Sequence, residues 1–530
     1  MTAAAQQAEP ADRWAAAAAL SAGLAIAARS DGLTFLALPA PVAPAAAVID
    51  GLPDQPRVAW ASGELTLAGA GMARELRGAG VDRWEELVRG ARGMEVAGAV
   101  IAGEPAAWQA LGIARPRWIG GAAFAPGSAD RAPWTGFGDA WFMLPRWTYT
   151  AVAHHPAHPA HHPAHHPDGA RAWLVLAVDA RDAAEPRRWH DELARLLAGF
   201  DGPGRPAAQP ALPALPALIE LHRASAGEWR AQVVAITEAI ARGACSKIVA
   251  ARTCTVALAG AVRPAALLAA LDQRHADCAR VLIQPPGAGA LVAATPERLL
   301  RRDGELVQCE ALAGTYSIHP GSIHPGSIHL GGFHLAGFHP AAAGKPGAED
   351  ASALRDRLIA EASAALVASQ KDRREHALVV EAIRAALADC AEVDAPDAPD
   401  IRVLRHVVHL LTPFRARLRA PRHVLELAAR LHPTPAVGGT PRELAADWIR
   451  TREPVARGWY AGPVGWFDLD GNGELAIAIR SGVLAGNRAH LWAGAGIVSG
   501  SDPDRELAET EIKLRAMLGA LGIEPGEDDR

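Results

Sequence analysis

Short apolar runs separated by Gly and Pro turns fill the first 200 residues of the chain, as in GGAAFAPG and WFMLPRWTYTAVA. This pattern is typical of strands in an antiparallel sheet rather than of successive nucleotide-binding βαβ units. Residues 460–498 continue it and predict three strands joined by the turns DGNG and AGN. Helical periodicity separates the two regions, with long helices expected over 350–390 and 440–450. The pattern therefore predicts an α+β fold dominated by antiparallel sheet.

A well-marked helix precedes the first candidate catalytic residue. Ser225 and Glu228 form a capping box, and apolar residues then recur on one face until Gly243. Lys247 follows at the start of the β-prone run KIVAARTCTVAL. Farther along, ARVLIQPPGAGALVAAT predicts a hairpin, and the turn after it carries Glu297. Taken alone, a Lys at a strand start is more often a solvated edge residue, and the Glu a surface carboxylate.

Composition shifts divide the chain into four parts. We expect an N-terminal tail or Ala-rich helix over 1–30, two larger parts of the fold over 31–218 and 219–523, and an acidic tail over 524–530. The Pro-rich stretch 202–218 is a plausible connection. His-rich insertions are expected at 154–167 and 317–340, where Pro and Gly favour disordered surface loops.

The charge balance and the cysteines narrow the class of protein. The 530 residues carry a formal net charge of −5, which gives no footprint for nucleic acid or an anionic membrane. Half of the residues are hydrophobic, as in a globular protein. Five scattered cysteines without a CxxC motif indicate a reducing compartment. The apolar stretch 14–28 is too short to span a bilayer, so we expect a cytoplasmic protein.

Two pairs of carboxylates stand three residues apart in predicted helices. Asp372 and Glu375 form one pair, and Glu506 and Glu509 form the other. Residues at i and i+3 share a helix face, so each helix would present two oxygen ligands side by side. Hard cations such as Mg2+ prefer such oxygens. The alternative is that each pair is simply a solvated helix face.

Nine ordered segments of the C-terminal 300 residues resemble one family. They are SKIVAAR, TPERLL, EALAGT, SQKDRREH, HLLTPF, LHPTPAVGG, GWYAGPVGW, AIAIRSG and AGAGIVSGSDPDRELAETEIKL. The chain is identified by them as similar to the chorismate-utilising enzymes and, within these, to the isochorismate synthases. The resemblance implies large antiparallel β-sheets packed face to face with helices on the outside. It also implies that 219–523 is the chorismate-binding catalytic core and that 31–218 is the more variable part of the same fold.

The resemblance also implies an isomerase that adds water at C2 of chorismate while the C4 hydroxyl leaves, with Mg2+ as cofactor. Lys247 would be the base for the water, and Glu297 would protonate the departing hydroxyl. Glu375 and Glu509 would bind the metal directly, with Asp372 and Glu506 nearby or acting through water.

The remaining implied roles concern the two carboxylates of the substrate. Arg480, midway along the central predicted strand, would pair with the enolpyruvyl carboxylate, where Tyr460 and the backbone N–H of Gly494 would add hydrogen bonds. Gly314, Thr315 and Lys513 would line the side of the ring carboxylate. His409 would lie near the pyruvyl oxygen, although a lone His in an apolar run is more often a satisfied core histidine.

Details of the motifs separate the members of the family. Relatives that add ammonia typically lack a lysine at position 247, so Lys247 favours water as the nucleophile. Salicylate synthases keep the lysine but usually carry a Thr-Ala-Ser-Gly run where this chain has Pro435-Ala436-Val437-Gly438. The alternatives are a salicylate synthase, which also eliminates pyruvate, and a non-enzymatic protein that binds soft metals through its His-rich tracts. Menaquinone and catecholate siderophore pathways both remain open, and we expect a monomer.

Overall fold

The computed structural model describes residues 10–51, 56–63, 65–152, 172–200, 215–318, 348–404 and 407–523. The expected insertion at 154–167, residues 319–340 of the expected insertion at 317–340 and the expected tail at 524–530 lie outside these residues, and so does most of the Pro-rich connection. The predictions made for them stay predictions.

Strands make up most of the described chain. The first half contains β1 Leu33–Pro39, β2 Arg57–Ala61, β3 Leu65–Gly78, β4 Val96–Ile101, β5 Glu104–Ala106, β6 Arg117–Ala122, β7 Ala140–Val152, β8 Ala172–Val178, β9 Leu218–Arg223 and β10 Lys247–Leu258. The second half contains β11 Ala279–Gln284, β12 Ala290–Thr295, β13 Arg298–Asp303, β14 Leu306–Ser317, β15 Ala391–Asp394, β16 Asp400–Val403, β17 Val407–Leu418, β18 Gly439–Thr440, β19 Pro463–Asp468, β20 Gly473–Ile477, β21 Ser481–Ala485 and β22 Arg488–Ile497.

The helices lie between these strands. They are α1 Pro10–Ala27, α2 Ala45–Gly51, α3 Arg83–Arg92, α4 Ala180–Ala183, α5 Pro186–Phe200, α6 Ala226–Ala241, α7 Pro264–Arg274, α8 Ala348–Ala368, α9 Gln370–Leu387, α10 Val424–Leu431, α11 Arg442–Arg452 and α12 Pro503–Ala520, with a 3-10 helix at Trp108–Ala114. No helix in the described part of the chain combines the length and the apolar character that crossing a membrane requires.

The strands form two sheets that are joined at one side. Sheet I runs in the order β2, β11, β12, β21, β22 and β10, with β9 and β18 beyond β10. Sheet II runs in the order β6, β19, β20, β13, β14 and β17, with β15 and β16 beyond β17. The long strands β3 and β7 connect β2 to β6, and β7 also pairs with β8. Every pair named here is antiparallel, in contrast to the parallel pair of β1 and β4.

Alternate residues of β12 show how the two sheets pack. Leu291 and Ala293 belong to one apolar core, which also contains Leu300 of sheet II. Their neighbours Val292 and Ala294 belong to a second core, which contains apolar residues of α2, α5, α7 and α12. One face of sheet I therefore packs against sheet II and the other is covered by helices, because successive side chains of a strand point to opposite faces. The predicted fold class is confirmed.

The chain crosses between the sheets at two neighbouring places. Residues 296–297 lead from β12 of sheet I to β13 of sheet II, and residues 478–480 lead from β20 of sheet II to β21 of sheet I. The prediction of three strands over 460–498 is therefore wrong, since four strands lie there. Arg480 does not lie midway along a strand but at the second crossover, where its φ of 48° takes it out of the extended conformation.

The predicted start of α6 is correct in part. The side chain of Ser225 accepts a hydrogen bond from the backbone N–H of Glu228, at 3.4 Å. The structure gives Ser225 as the N-cap without the reciprocal bond from the Glu228 side chain that a capping box requires. The cap alone satisfies one of the free N–H groups at the helix start.

A buried ion pair ties three segments of this fold together. The guanidinium of Arg457, which is 2% exposed, bonds both carboxylate oxygens of Glu453. It also donates to the backbone carbonyls of Val437, at 2.6 Å, and Val249, at 2.7 Å. Glu453 in turn accepts from the backbone N–H of Ala251. The pair thus fixes the loop after α10 against β10, close to Lys247.

We expect Arg457→Met to lower the free energy of unfolding by about 3 to 5 kcal/mol, because it leaves a buried carboxylate and two carbonyls without their partner. Denaturant unfolding of both proteins would measure the change. Arg450→Met is the matched control, since its ion pair with Asp447 is exposed and should contribute less than about 0.5 kcal/mol. Equal effects from the two substitutions would contradict the role assigned to Arg457.

Candidate active site

A cavity opens between the two sheets beside both crossovers. Ten of the thirteen residues singled out from the sequence line it: Glu297, Gly314, Thr315, Glu375, His409, Tyr460, Arg480, Gly494, Glu509 and Lys513. The other three adjoin it. Lys247 contacts Glu375, Asp372 lies against Gly314, and Glu506 precedes Glu509 by one turn of α12. The structure therefore brings the whole predicted set into one region.

Glu297 is held at the first crossover and is 7% exposed. Its backbone N–H donates to Thr295 Oγ1 at 3.2 Å, and its carbonyl accepts from the N–H of Ile477 at 3.0 Å. Burial raises the pKa of its carboxyl to about 7, although Lys247 and Lys513 partly oppose this shift. A carboxyl with such a pKa is substantially protonated near neutral pH, so Glu297 is able to donate a proton to a bound molecule.

Lys247 begins β10 and is fully buried, so the alternative of a solvated edge residue is wrong. Its Nζ donates to Glu375 Oε1 at 2.8 Å and does not line the cavity. The pair fits because residue 496 of β22 is a glycine. A Cβ at Gly496 would lie 2.4 Å from Glu375 Oε1 and 3.0 Å from Lys247 Cε. In this arrangement the candidate base is held in an ion pair with a candidate metal ligand.

His409 orients Arg480. Its Nδ1 lies 2.9 Å from the carbonyl of Gly314, which can only accept, so Nδ1 carries the proton. Nε2 is then free to accept from Arg480 Nη2 at 3.3 Å. Burial and the neighbouring Arg480 lower the pKa of His409 to about 3, which keeps the imidazole neutral. The structure thus gives His409 a defined task beyond that of a packed core histidine.

Tyr460 and Gly494 lie next to each other in the lining of the cavity. Tyr460 stacks on Trp492 with ring centroids 6.2 Å apart, and a Cβ on Gly494 would lie 3.0 Å from the Tyr460 hydroxyl. Ala251, the register partner of Gly494, directs its N–H away from β22 to Glu453. Ala251 and Gly494 therefore form a non-hydrogen-bonded pair of the ladder. The N–H and C=O of Gly494 point away from β10, along a part of β22 that has no partner residue in β21. Its carbonyl accepts from Lys513 there, at 2.8 Å.

Two capped helices carry the four candidate metal ligands. Ser369 caps α9 through the N–H of Asp372, and the side chain of Asp502 caps α12. A lysine is paired with each of three carboxylates: Lys247 with Glu375, Lys371 with Glu506 at 2.6 Å, and Lys513 with Glu509 at 2.7 Å.

The four carboxylates match a hard divalent cation in donor chemistry, since every donor is an oxygen. They are not assembled around one point, however. Among the described residues, no three of these carboxylates offer ligand oxygens within 4.8 Å of one another, and the single group of residues that meets this limit consists of His275, Asp277 and Cys278. The solvated-face alternative is wrong for Glu506, which is 2% exposed.

Burial is the largest influence on the pKa of three of these acids. Burial and then Glu509 raise the pKa of Glu506 to about 7, against the effect of Lys371. Burial also raises the pKa of Asp372. Burial would do the same to Glu375, but Lys247 and Lys371 outweigh it and lower the pKa of that carboxyl. Further positive charge would therefore stabilise the cluster.

Sequence reasoning missed Lys371, although composition holds a signal for it. Lysine occurs four times in the chain, at 247, 345, 371 and 513, whereas all other basic positions carry arginine. Three of the four lysines pair with candidate metal ligands. In a chain so rich in arginine, a lysine marks a place where a compact ammonium is required.

Comparisons with known proteins agree on one family. The family model described as chorismate binding enzyme matches residues 55–519. The salicylate biosynthesis isochorismate synthase of Pseudomonas aeruginosa is 35% identical over 483 residues, covering 89% of this chain and 86% of the relative. Isochorismate synthase MenF of Bacillus subtilis is 36% identical over 298 residues, covering 56% of each chain.

A solved structure shares the fold. The structure of MenF, the menaquinone-specific isochorismate synthase from Escherichia coli, has a TM-score of 0.69 and is 23% identical, covering 95% of this chain and 100% of that one.

The buried carboxyl of Glu297 should make stability depend on pH. Because its pKa is raised on folding, the stabilisation by its protonated form is complete below pH 4.5 and is lost as the pH rises through about 7. Glu297→Gln removes this loss. The free energy of unfolding of the variant minus that of the unchanged protein should rise by about 3 kcal/mol between pH 4.5 and pH 8.5. Denaturant titrations in EDTA would measure this, and a difference that does not vary with pH would refute it.

Proposed function

The chain belongs to the family of chorismate binding enzymes, and from that premise we propose that it is an isochorismate synthase, an isomerase that converts chorismate to isochorismate. One observation carries the proposal. A buried carboxyl with a pKa of about 7 faces the same cavity as a guanidinium at the second crossover, with a buried lysine directly behind one of the cavity's carboxylates. Candidates for the acid, the base and the carboxylate receptor thus lie in or beside one cavity.

Glu297 would act as the general acid. The C4 hydroxyl of chorismate is a poor leaving group unless it gains a proton as the C–O bond breaks. A carboxyl that burial keeps partly protonated at neutral pH supplies that proton, and ionisation of Glu297 leaves it near Lys247 and Lys513, whose charges stabilise the carboxylate formed.

Lys247 would act as the general base for the water that attacks C2. Only the neutral amine can accept a proton, so Lys247 must be released from Glu375 and give up one ammonium proton before it acts. Lys247 also favours water over ammonia as the nucleophile, in line with the resemblance noted above. The division of labour is consistent with proton transfers at two different ring carbons.

Arg480 would bind the enolpyruvyl carboxylate, with Tyr460 and the N–H of Gly494 nearby. A planar guanidinium can bond both oxygens of a carboxylate, and the neutral His409 holds it in place from behind. Arg480 has a positive φ, which is costly for a residue other than glycine. Such conformations are commonly retained at functional sites. Gly314, Thr315 and Lys513 would line the ring-carboxylate side.

We propose Mg2+ as the cofactor, held by Glu375 and Glu509 with Asp372 and Glu506 as further partners. Four carboxylates, of which two have a pKa raised by burial, suit a divalent cation. When bound, the cation would hold the ring carboxylate and draw electron density as the C4 oxygen departs. The relatives named above are assigned to different pathways, so the proposal stops at their common product, isochorismate.

Purified protein with chorismate and Mg2+ should give isochorismate, identified by NMR of the products. Lys247→Gln and Glu297→Gln should each lower kcat by about 10²- to 10⁴-fold, because each removes one proton-transfer group. Glu305→Gln is the matched control, since Glu305 is 69% exposed and forms a surface ion pair with Arg417. Release of pyruvate, detected with lactate dehydrogenase, would favour the salicylate synthase alternative. Turnover by Glu297→Gln at the unchanged rate would overturn the acid assignment.

Arg480→Lys should raise KM for chorismate by about 10- to 100-fold and change kcat much less, because an ammonium cannot bond both carboxylate oxygens. Steady-state kinetics would separate the two constants. A fall in kcat at unchanged KM would show that Arg480 acts on the transition state rather than on substrate binding.

A further inference from the structure

Lys371 stands apart from the other two lysines of the site. Lys247 is the candidate base, and Lys513 lines the cavity and bonds the carbonyl of Gly494. Lys371 does not line the cavity, and none of the roles proposed above uses it. Its Nζ lies 2.6 Å from Glu506 Oε1. That carboxylate is the most deeply buried of the four candidate metal ligands.

The charge of Lys371 is felt by most of the acidic cluster. Three carboxylates, those of Glu506, Glu375 and Glu509, stabilise its charged form and raise the pKa of Lys371 against the opposing effect of burial. Its ammonium bonds a carboxylate whose charge a divalent cation would otherwise help to neutralise.

The arrangement of the carboxylates agrees with this position. Glu375, Glu506 and Glu509 each bond a different lysine, and no three of the four carboxylates offer ligand oxygens within 4.8 Å of one another. The proposed direct ligands Glu375 and Glu509 are thus directed at Lys247 and Lys513, and the further partner Glu506 is directed at Lys371. Two cations next to each other in a buried site repel strongly. An ammonium and a metal ion therefore compete for the same carboxylates.

We propose that Lys371 is a built-in counter-cation, which neutralises Glu506 while the site lacks a divalent cation and must leave that carboxylate when the cation binds. This rests on the proposed metal-dependent function. The lysine keeps the metal-free protein stable, because a buried carboxylate without a partner is costly. It also weakens the affinity for the cation, so that the negative charge of the substrate carboxylate is needed for tight binding.

The test compares Mg2+ binding by calorimetry and thermal unfolding in EDTA, both without chorismate. Lys371→Met keeps the length of the side chain and removes the charge. It should bind Mg2+ about tenfold more tightly or better, and its midpoint of unfolding in EDTA should be lower. Lys371→Arg should bind Mg2+ more weakly than the unchanged protein, because a guanidinium can bond both oxygens of Glu506.

Arg373→Met is the matched control, since Arg373 is exposed on the same helix and its loss changes the net charge equally. It should leave Mg2+ affinity unchanged. Equal or weaker Mg2+ binding by Lys371→Met would overturn the inference, as would tighter binding by both Met variants. Turnover of chorismate by the unchanged protein decides the proposed function separately, so failure of one proposal is distinguishable from failure of the other.

Discussion

Two backbone hydrogen bonds join the crossovers that pass from one sheet to the other. The N–H of Ala294 donates to the carbonyl of Arg480 at 3.1 Å, and the N–H of Ile477 donates to the carbonyl of Glu297 at 3.0 Å. Each bond starts in a strand end and finishes in the opposite crossover. Because a crossover interrupts strand pairing, its side chains are released from the alternation of the ladder and can turn into the gap between the sheets. The acid and the guanidinium owe their common position to this constraint.

The remaining part of the site is governed by buried charge. Four carboxylates gather on α9 and α12, where desolvation alone would keep several of them protonated. Lysines from β10, α9 and α12 oppose this protonation, each by forming an ion pair with one glutamate. The cluster is thus balanced by groups that can move, and not by fixed backbone donors. Such a balance can be redistributed when a further cation or a substrate carboxylate arrives.

Local sequence rules predicted much of this. The β-prone run at Lys247, the turn at Glu297 and the i, i+3 carboxylates were all readable, because turns, strand starts and helix faces depend on neighbouring residues. The position of Arg480 was not, since a strand that changes sheets looks the same in sequence as one that continues. The pairing of Lys371 with Glu506 joins residues 135 positions apart, and no local pattern encodes such a contact.

Two glycines show what the packing of α9 implies. Gly314 of sheet II faces Asp372, and Gly496 of sheet I faces Glu375, so the same helix rests on both sheets through positions without a side chain. Successive turns of α9 thereby contact sheet II and sheet I and bridge the gap between them. A substitution that changes the separation of the sheets, even one far from the cavity, would therefore shift Asp372 and Glu375 relative to the glutamates of α12.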